Sequence, residues 1–143
     1  MCRLESWPYH IFDSNFIPSL LAHGPEQMAQ RSAMKDMNIF EKGLLIIPFC
    51  HDTFHWSVIA IVNPGGALSE NVSRKTVDLN GLPPTLVHFD SLRAHSMDSL
   101  QPILHNWMNY ESERLNVASC SANSFDSTAL HVCSPNGKLR CLN

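Results

Sequence analysis

Between residues 44 and 90 the apolar positions come in short continuous runs instead of a helical period. Leu44-Leu45-Ile46-Ile47-Pro48-Phe49 is one such run, too short for a core helix, and it predicts a buried strand. Trp56-Ser57-Val58-Ile59-Ala60-Ile61-Val62 is a second, rich in β-branched residues that fit a pleated surface. Asn63-Pro64-Gly65-Gly66 closes it with turn chemistry. Thr85-Leu86-Val87-His88-Phe89 predicts a third strand. Residues 67–83 between them are polar and end in Gly81-Leu82-Pro83-Pro84, so they predict an exposed insertion.

Helical spacing flanks this block. Phe12, Phe16, Ile17, Leu20 and Leu21 recur at helical intervals, with Asp13 or Ser14 as cap and Pro18 tolerated in the first turn. His23-Gly24-Pro25 stops that helix. A second helix is expected from about Glu26 to Met37, on weaker apolar spacing. The clearest helix spans 97–115, where Leu100, Ile103, Leu104, Trp107 and Met108 sit at i, i+3, i+4, i+7 and i+8. Asp98 or Ser99 is its expected cap, Asp98 and Gln101 have capping-box spacing, and Glu111, Glu113 and Arg114 are expected at a solvated end. Residues 116–143 show no strong period and carry three of the five cysteines; they are expected to be a poorly ordered tail.

Composition narrows the function classes. A chain of 143 residues, 44% apolar, can bury one core but not two. A formal net charge of -3 argues against broad electrostatic binding to nucleic acid or an anionic membrane. No run of 18 apolar residues occurs, and residues 1–10 lack the basic start and apolar stretch of a secretory signal. The five cysteines (Cys2, Cys50, Cys120, Cys133, Cys141) are odd in number and irregularly spaced, so reduced thiols in the nucleus or cytoplasm are expected, not a disulfide framework.

His55 opens the second predicted strand and Asp90 closes the third. Neighbouring strand ends can bring an imidazole and a carboxylate together, and a carboxylate on one ring nitrogen leaves the other to act on a nucleophile. On spacing alone two readings stay open, a catalytic pair or polar groups that cap loops. Cys50, His51, Asp52 and His55 are also metal-ligand types, but the i, i+4 spacing of the two histidines would join them only on a helix. The segment follows a strand and reads as a loop, so no metal is expected.

The ordered set of motifs is more specific than its parts. Ile39-Phe40-Glu41-Lys42-Gly43-Leu44-Leu45-Ile46-Ile47-Pro48-Phe49 is followed by His55-Trp56-Ser57-Val58-Ile59-Ala60-Ile61-Val62, then Val87-His88-Phe89-Asp90-Ser91-Leu92 and an amphipathic helix. Upstream, His10-Ile11-Phe12-Asp13-Ser14-Asn15-Phe16 looks like the helix start of the same pattern. Over roughly residues 6–115 this series resembles the Ulp1/SENP family, the ubiquitin-like-protein-specific (SUMO) cysteine proteases. The long polar insertion is similar to those of its Ulp2-like branch.

The resemblance implies an α/β (α+β) papain-like cysteine-protease fold, a mixed sheet with flanking helices, present in part. It implies His55 as general base, Asp90 as the carboxylate that orients it, and Trp56 as a wall of the slot over a substrate's Gly-Gly end. Glycines alone lack Cβ atoms, so a narrow aromatic slot excludes larger residues. The implied activity is cysteine peptidase or isopeptidase cleavage after Gly-Gly in SUMO or a related ubiquitin-like modifier, with no cofactor. The family's nucleophile motif, Q-x-N-x-x-D-C-G, does not occur. Cys133 and Cys141 lie in the corresponding stretch without its neighbours, and Cys50 reads as a structural thiol. The family's opening W-L-x-D segment has no counterpart around Trp7, which is followed by Pro8 and Tyr9. The alternative is therefore an inactive relative that binds a ubiquitin-like protein without cutting it.

Overall fold

The computed structural model describes residues 8–31, 34–51, 54–68, 84–91, 96–117 and 126–128. Its centre is a five-stranded mixed sheet whose spatial order equals its chain order. The strands are β1 (Tyr9–Ile11), β2 (Leu44–Cys50), β3 (Trp56–Val62), β4 (Thr85–Asp90) and β5 (Asp126–Thr128). β2, β3 and β4 are successive antiparallel neighbours, while β1 and β5 add parallel strands at the two edges. The three strands expected from the apolar runs are these central ones, with β2 and β4 each one residue longer than the run that predicts it.

Register explains why one face of the sheet is the core. Leu45 pairs with Ile61 and Ile61 with Leu86; Ile47 pairs with Ile59 and Ile59 with His88. Side chains alternate between faces, so these positions all point one way. Leu45, Ile47, Ile59, Ile61 and Leu86 are buried and share one apolar cluster with residues of all three α-helices. One step further along the same face the row becomes Phe49, Ser57 and Asp90. The core face thus turns polar at the end of the sheet where β2 joins β3.

Among the described residues, three α-helices supply the cover: α1 (Phe16–His23), α2 (Pro25–Gln30) and α3 (Leu100–Arg114). α1 begins after Asn15, whose N–H donates to Asp13 Oδ1 at 2.7 Å, and Pro18 falls in its first turn as expected. Its stop is Gly24, at φ 84°, whose N–H closes on Leu20 O at 2.9 Å. That backbone favours glycine although the space around a Cβ there is open. Gly24→Ala is expected to cost about 1–2 kcal/mol, seen as a drop of several degrees in the thermal midpoint; an unchanged midpoint would contradict the strain argument. α2 takes over at once with Pro25 in its first turn and ends at Gln30, with Arg31 as the extended residue after it, well short of Met37. Only Met28 and Ala29 of α2 are buried, so little apolar burial supports a longer helix.

α3 keeps nearly its expected bounds and buries Leu100, Leu104, Trp107 and Met108. Ser99 is its N-cap residue, but neither Ser99 nor Asp98 caps it through a side chain; Met97 O accepts the N–H groups of Leu100 and Gln101 instead. The indole of Trp107 meets the rings of Phe16 and Phe12 edge-on, with centroids 4.9 and 5.7 Å apart, and ties α3 to α1 and the turn before it.

Four further expectations need correction. Residues 9–11 are a parallel edge strand, so the His10–Phe16 segment holds a strand before its helix. Ala67 and Leu68 are buried, the first closing a 3-10 turn over Pro64–Ala67, so the polar insertion does not begin at 67; residues 69–83 lie outside the described residues. Glu111 is fully buried instead of solvated. Residues 126–128, inside the stretch expected to be a tail, pair with Thr85, Leu86 and Val87 of β4. No helix among the described residues is long and apolar enough to cross a membrane.

Candidate active site

The β2–β3 hairpin builds one side of the polar end. Its ladder runs Phe49 to Ser57 and Cys50 to Trp56, and the His51 N–H donates to His55 O at 2.9 Å, extending the register by one pair. His51 and His55 are therefore cross-strand partners at the end of the β2–β3 ladder. β4 builds the other side, with Asp90 directly opposite Ser57. That places Asp90 diagonally from His55, within reach of a long side chain.

The reach is realised. His55 Nε2 and Asp90 Oδ1 are 2.6 Å apart, with His55 8% and Asp90 0% exposed. An ionised carboxylate only accepts, so Nε2 carries the proton of this bond. Nδ1 is then the ring nitrogen that can take a proton from a nucleophile. The 35 residues between these partners collapse to one hydrogen bond because β3 and β4 are antiparallel neighbours.

Two further groups stand beside the pair. His51 Nε2 and Ser57 Oγ are 2.6 Å apart, and the His51 and His55 rings stack with centroids 5.4 Å apart and planes at 26°. Neither group is singled out by sequence as part of this site, where His51 counts only as a metal-ligand type. The signal was available in the pairing: once Cys50 faces Trp56, His51 must face His55.

Trp56 follows His55 and points to the other face of β3, where it is 54% exposed. It is therefore not a core residue. Cys50, opposite Trp56, is half-buried and lies on the face away from His55 and Asp90, which excludes a direct role beside the imidazole. His88 is buried on β4 and His105 lies on α3. Cys133 and Cys141 lie outside the described residues, as do Cys2, Cys120, Trp7, Asp52 and His95. No group of three or more potential metal ligands occurs among the described residues.

A mixed α+β sheet with a buried histidine–aspartate pair at one end is an arrangement that triad hydrolases use to activate a nucleophile. Residues 5–135 match the Ulp1 protease family, C-terminal catalytic domain, and the chain belongs to that family. The match passes the boundary at 115 expected from sequence texture, and β5 lies within it. Solved structures agree on the fold. A de-sumoylating protease superposes with a TM-score of 0.68 at 17% identity, covering 93% of this chain and 47% of its own. SUMO protease Ulp1 with its catalytic cysteine oxidised to a sulfinic acid gives 0.57 at 18%, covering 93% and 52%. The C-terminal Ulp1 protease domain in complex with Smt3, the yeast orthologue of SUMO, gives 0.57 at 18%, covering 92% and 51%. The chain thus spans about half the length of these solved relatives. No curated protein matches it.

Proposed function

We propose that this chain is the part of a cysteine peptidase that carries the general base and its orienting carboxylate, acting after the Gly-Gly end of SUMO or a related ubiquitin-like modifier. The observation that carries this reading is the buried 2.6 Å hydrogen bond from His55 Nε2 to Asp90 Oδ1 in a chain of the Ulp1 protease family. In the proposed cycle His55 Nδ1 takes the thiol proton, and the thiolate attacks the terminal glycine carbonyl. The C–N bond breaks, the amine leaves with the proton from His55, and a thioester remains. Water then adds with His55 again as base, releasing the modifier's carboxylate and restoring the thiol. Cys133 and Cys141 are the proposed candidates for the nucleophile.

The test is covalent labelling of the chain by SUMO carrying a C-terminal electrophile, followed by peptide mapping. A thioether adduct on Cys133 or Cys141 that is absent when that residue is replaced by serine supports the proposal. The lack of an Asp-Cys-Gly sequence favours the second reading, a relative that binds without cutting. Saturable binding of SUMO with no adduct would select that reading, and neither binding nor adduct would remove both.

Trp56 is proposed as a wall for the Gly-Gly segment, since its half-exposed indole adjoins the base in sequence and is not committed to the core. Trp56→Ala is expected to lower the labelling rate about 30-fold, the scale of an aromatic hot spot, while leaving the thermal midpoint nearly unchanged. A large fall in the midpoint with normal labelling would contradict this assignment.

A further inference from the structure

We propose that His51 is a positioning residue for His55, fixing the plane of its ring through a closed set of contacts that runs His55–His51–Ser57–Asp90. The proposal rests on the reading of His55 as general base and extends it to a residue that would act through His55.

The need for such a residue follows from the backbone. His55 precedes the first residue of β3 and sits at the end of a hairpin, so strand pairing alone does not fix its side chain. Asp90 holds one ring nitrogen. That hydrogen bond fixes a distance and a direction, and rocking of the ring about that axis is limited by what lies against its face. Rocking would sweep Nδ1 away from any nucleophile, and displacements on the scale of 1 Å carry large rate penalties.

The structure supplies a second constraint on the ring face. His51 lies opposite His55 in the register and stacks on it at 5.4 Å, with 26° between the planes. His51 is held in turn from two sides, by Ser57 Oγ at 2.6 Å and by the ring of Phe49 at 4.3 Å. Ser57 is 2% exposed and is paired across the sheet with Asp90 itself. The carboxylate that orients His55 and the hydroxyl that orients His51 therefore share one rung of the β3–β4 ladder. A shift of that rung would move both together, so the two constraints on His55 stay in register with each other. The ring of His88 also lies near this end, with its centroid 6.1 Å from that of His51.

The experiment reads the geometry without substrate, by NMR of the full chain with isotopically labelled histidine side chains. The low-field proton of His55 Nε2–H in its bond to Asp90 is the reporter. In His51→Ala, that resonance is expected to broaden beyond detection, and Ser57→Ala is expected to give a weaker, shifted signal. His51→Phe keeps an aromatic face against His55 and is expected to restore the resonance, which a merely structural role would not require. In a chain that labels with the SUMO electrophile, the rate should fall about ten- to hundredfold in His51→Ala and recover in His51→Phe. An unchanged low-field resonance in folded His51→Ala overturns the proposal. Should His51→Ala not fold, an unchanged resonance in Ser57→Ala overturns it equally. Absence of labelling in the wild-type chain would count against the protease reading alone, because the NMR comparison stands without it.

Discussion

Asp90→Asn is expected to slow electrophile labelling by about 10³–10⁴-fold while leaving the fold intact. The carboxylate is wholly buried and faces His55 Nε2 at 2.6 Å, so it dictates which ring nitrogen bears the proton. Asparagine has nearly the same shape, but its amide N–H can donate to Nε2. That would move the imidazole proton to Nδ1, the atom that must accept a proton from the thiol. The pair would also lose the charge that stabilises imidazolium. Stability should change by no more than about 1 kcal/mol, since a desolvated charge is replaced by a neutral isostere. The measurement pairs labelling rate with a urea melt for wild type and variant. Labelling at the wild-type rate would sink the assignment of Asp90, and a variant that fails to fold would show that the carboxylate's role is structural. If the chain labels at all, His55→Ala should be at least as slow, because it removes the proton acceptor itself.

The parts of this site that could be read from sequence are those written in runs and order. β2, β3 and β4 carry almost uninterrupted apolar residues because both faces are largely covered, and such runs mark strands whatever the neighbours. His55 and Asp90 stand at the edges of those runs, so their position at strand ends was legible. Their contact depends on β3 and β4 being antiparallel neighbours, which no local spacing states. The ordered motifs supplied that information through the family, and the structure gives its physical form in the register that sets Asp90 diagonal to His55.

What sequence could not give is governed by pairing and burial over long range. Tyr9–Ile11 is three residues long, with Tyr9 and Ile11 exposed; it is a strand because β2 offers it an edge. Asp126–Thr128 is wholly polar in sequence and is held by the backbone of β4 in the same way. Hydrophobic patterning has no purchase on strands of this kind, because their stability lies in ladder hydrogen bonds and not in an apolar stripe. Ala67 and Leu68 escaped for the opposite reason. They are two apolar residues at the edge of a polar stretch, buried because Asn63, at φ 54°, turns the chain back through Pro64–Ala67.

Glu111 shows the same limit for charge, and removing its partner should have the largest effect on stability. Sequence places Glu111 near the end of α3 among charged residues, yet its side chain is fully buried. Arg114, one turn on, reaches back to Glu111 Oε2 through Nη2 at 2.5 Å and Nε at 3.1 Å. The same guanidinium donates to Lys35 O at 3.1 Å and Met37 O at 2.9 Å, nearly 80 residues away in sequence. It thereby latches the turn after α2 onto α3. Arg114→Ala is expected to cost about 3 kcal/mol near pH 7, because it strands a buried carboxylate as well as two carbonyls. Burial already pushes the Glu111 carboxyl above its ordinary 4.5, and Arg114 pulls against that shift. With its pKa raised on folding, the folded chain holds this proton more tightly than the unfolded one. The group's contribution is therefore most favourable below the ordinary value and is lost as pH climbs towards the folded value. Removing Arg114 raises the folded value further, so the loss should grow and extend to higher pH. Urea melts should show the variant closest to wild type near pH 4 and furthest at pH 7, with Glu111→Gln in the Arg114→Ala background recovering part of the deficit. A deficit independent of pH would mean that the two carbonyl contacts, and not the buried carboxylate, are what Arg114 holds.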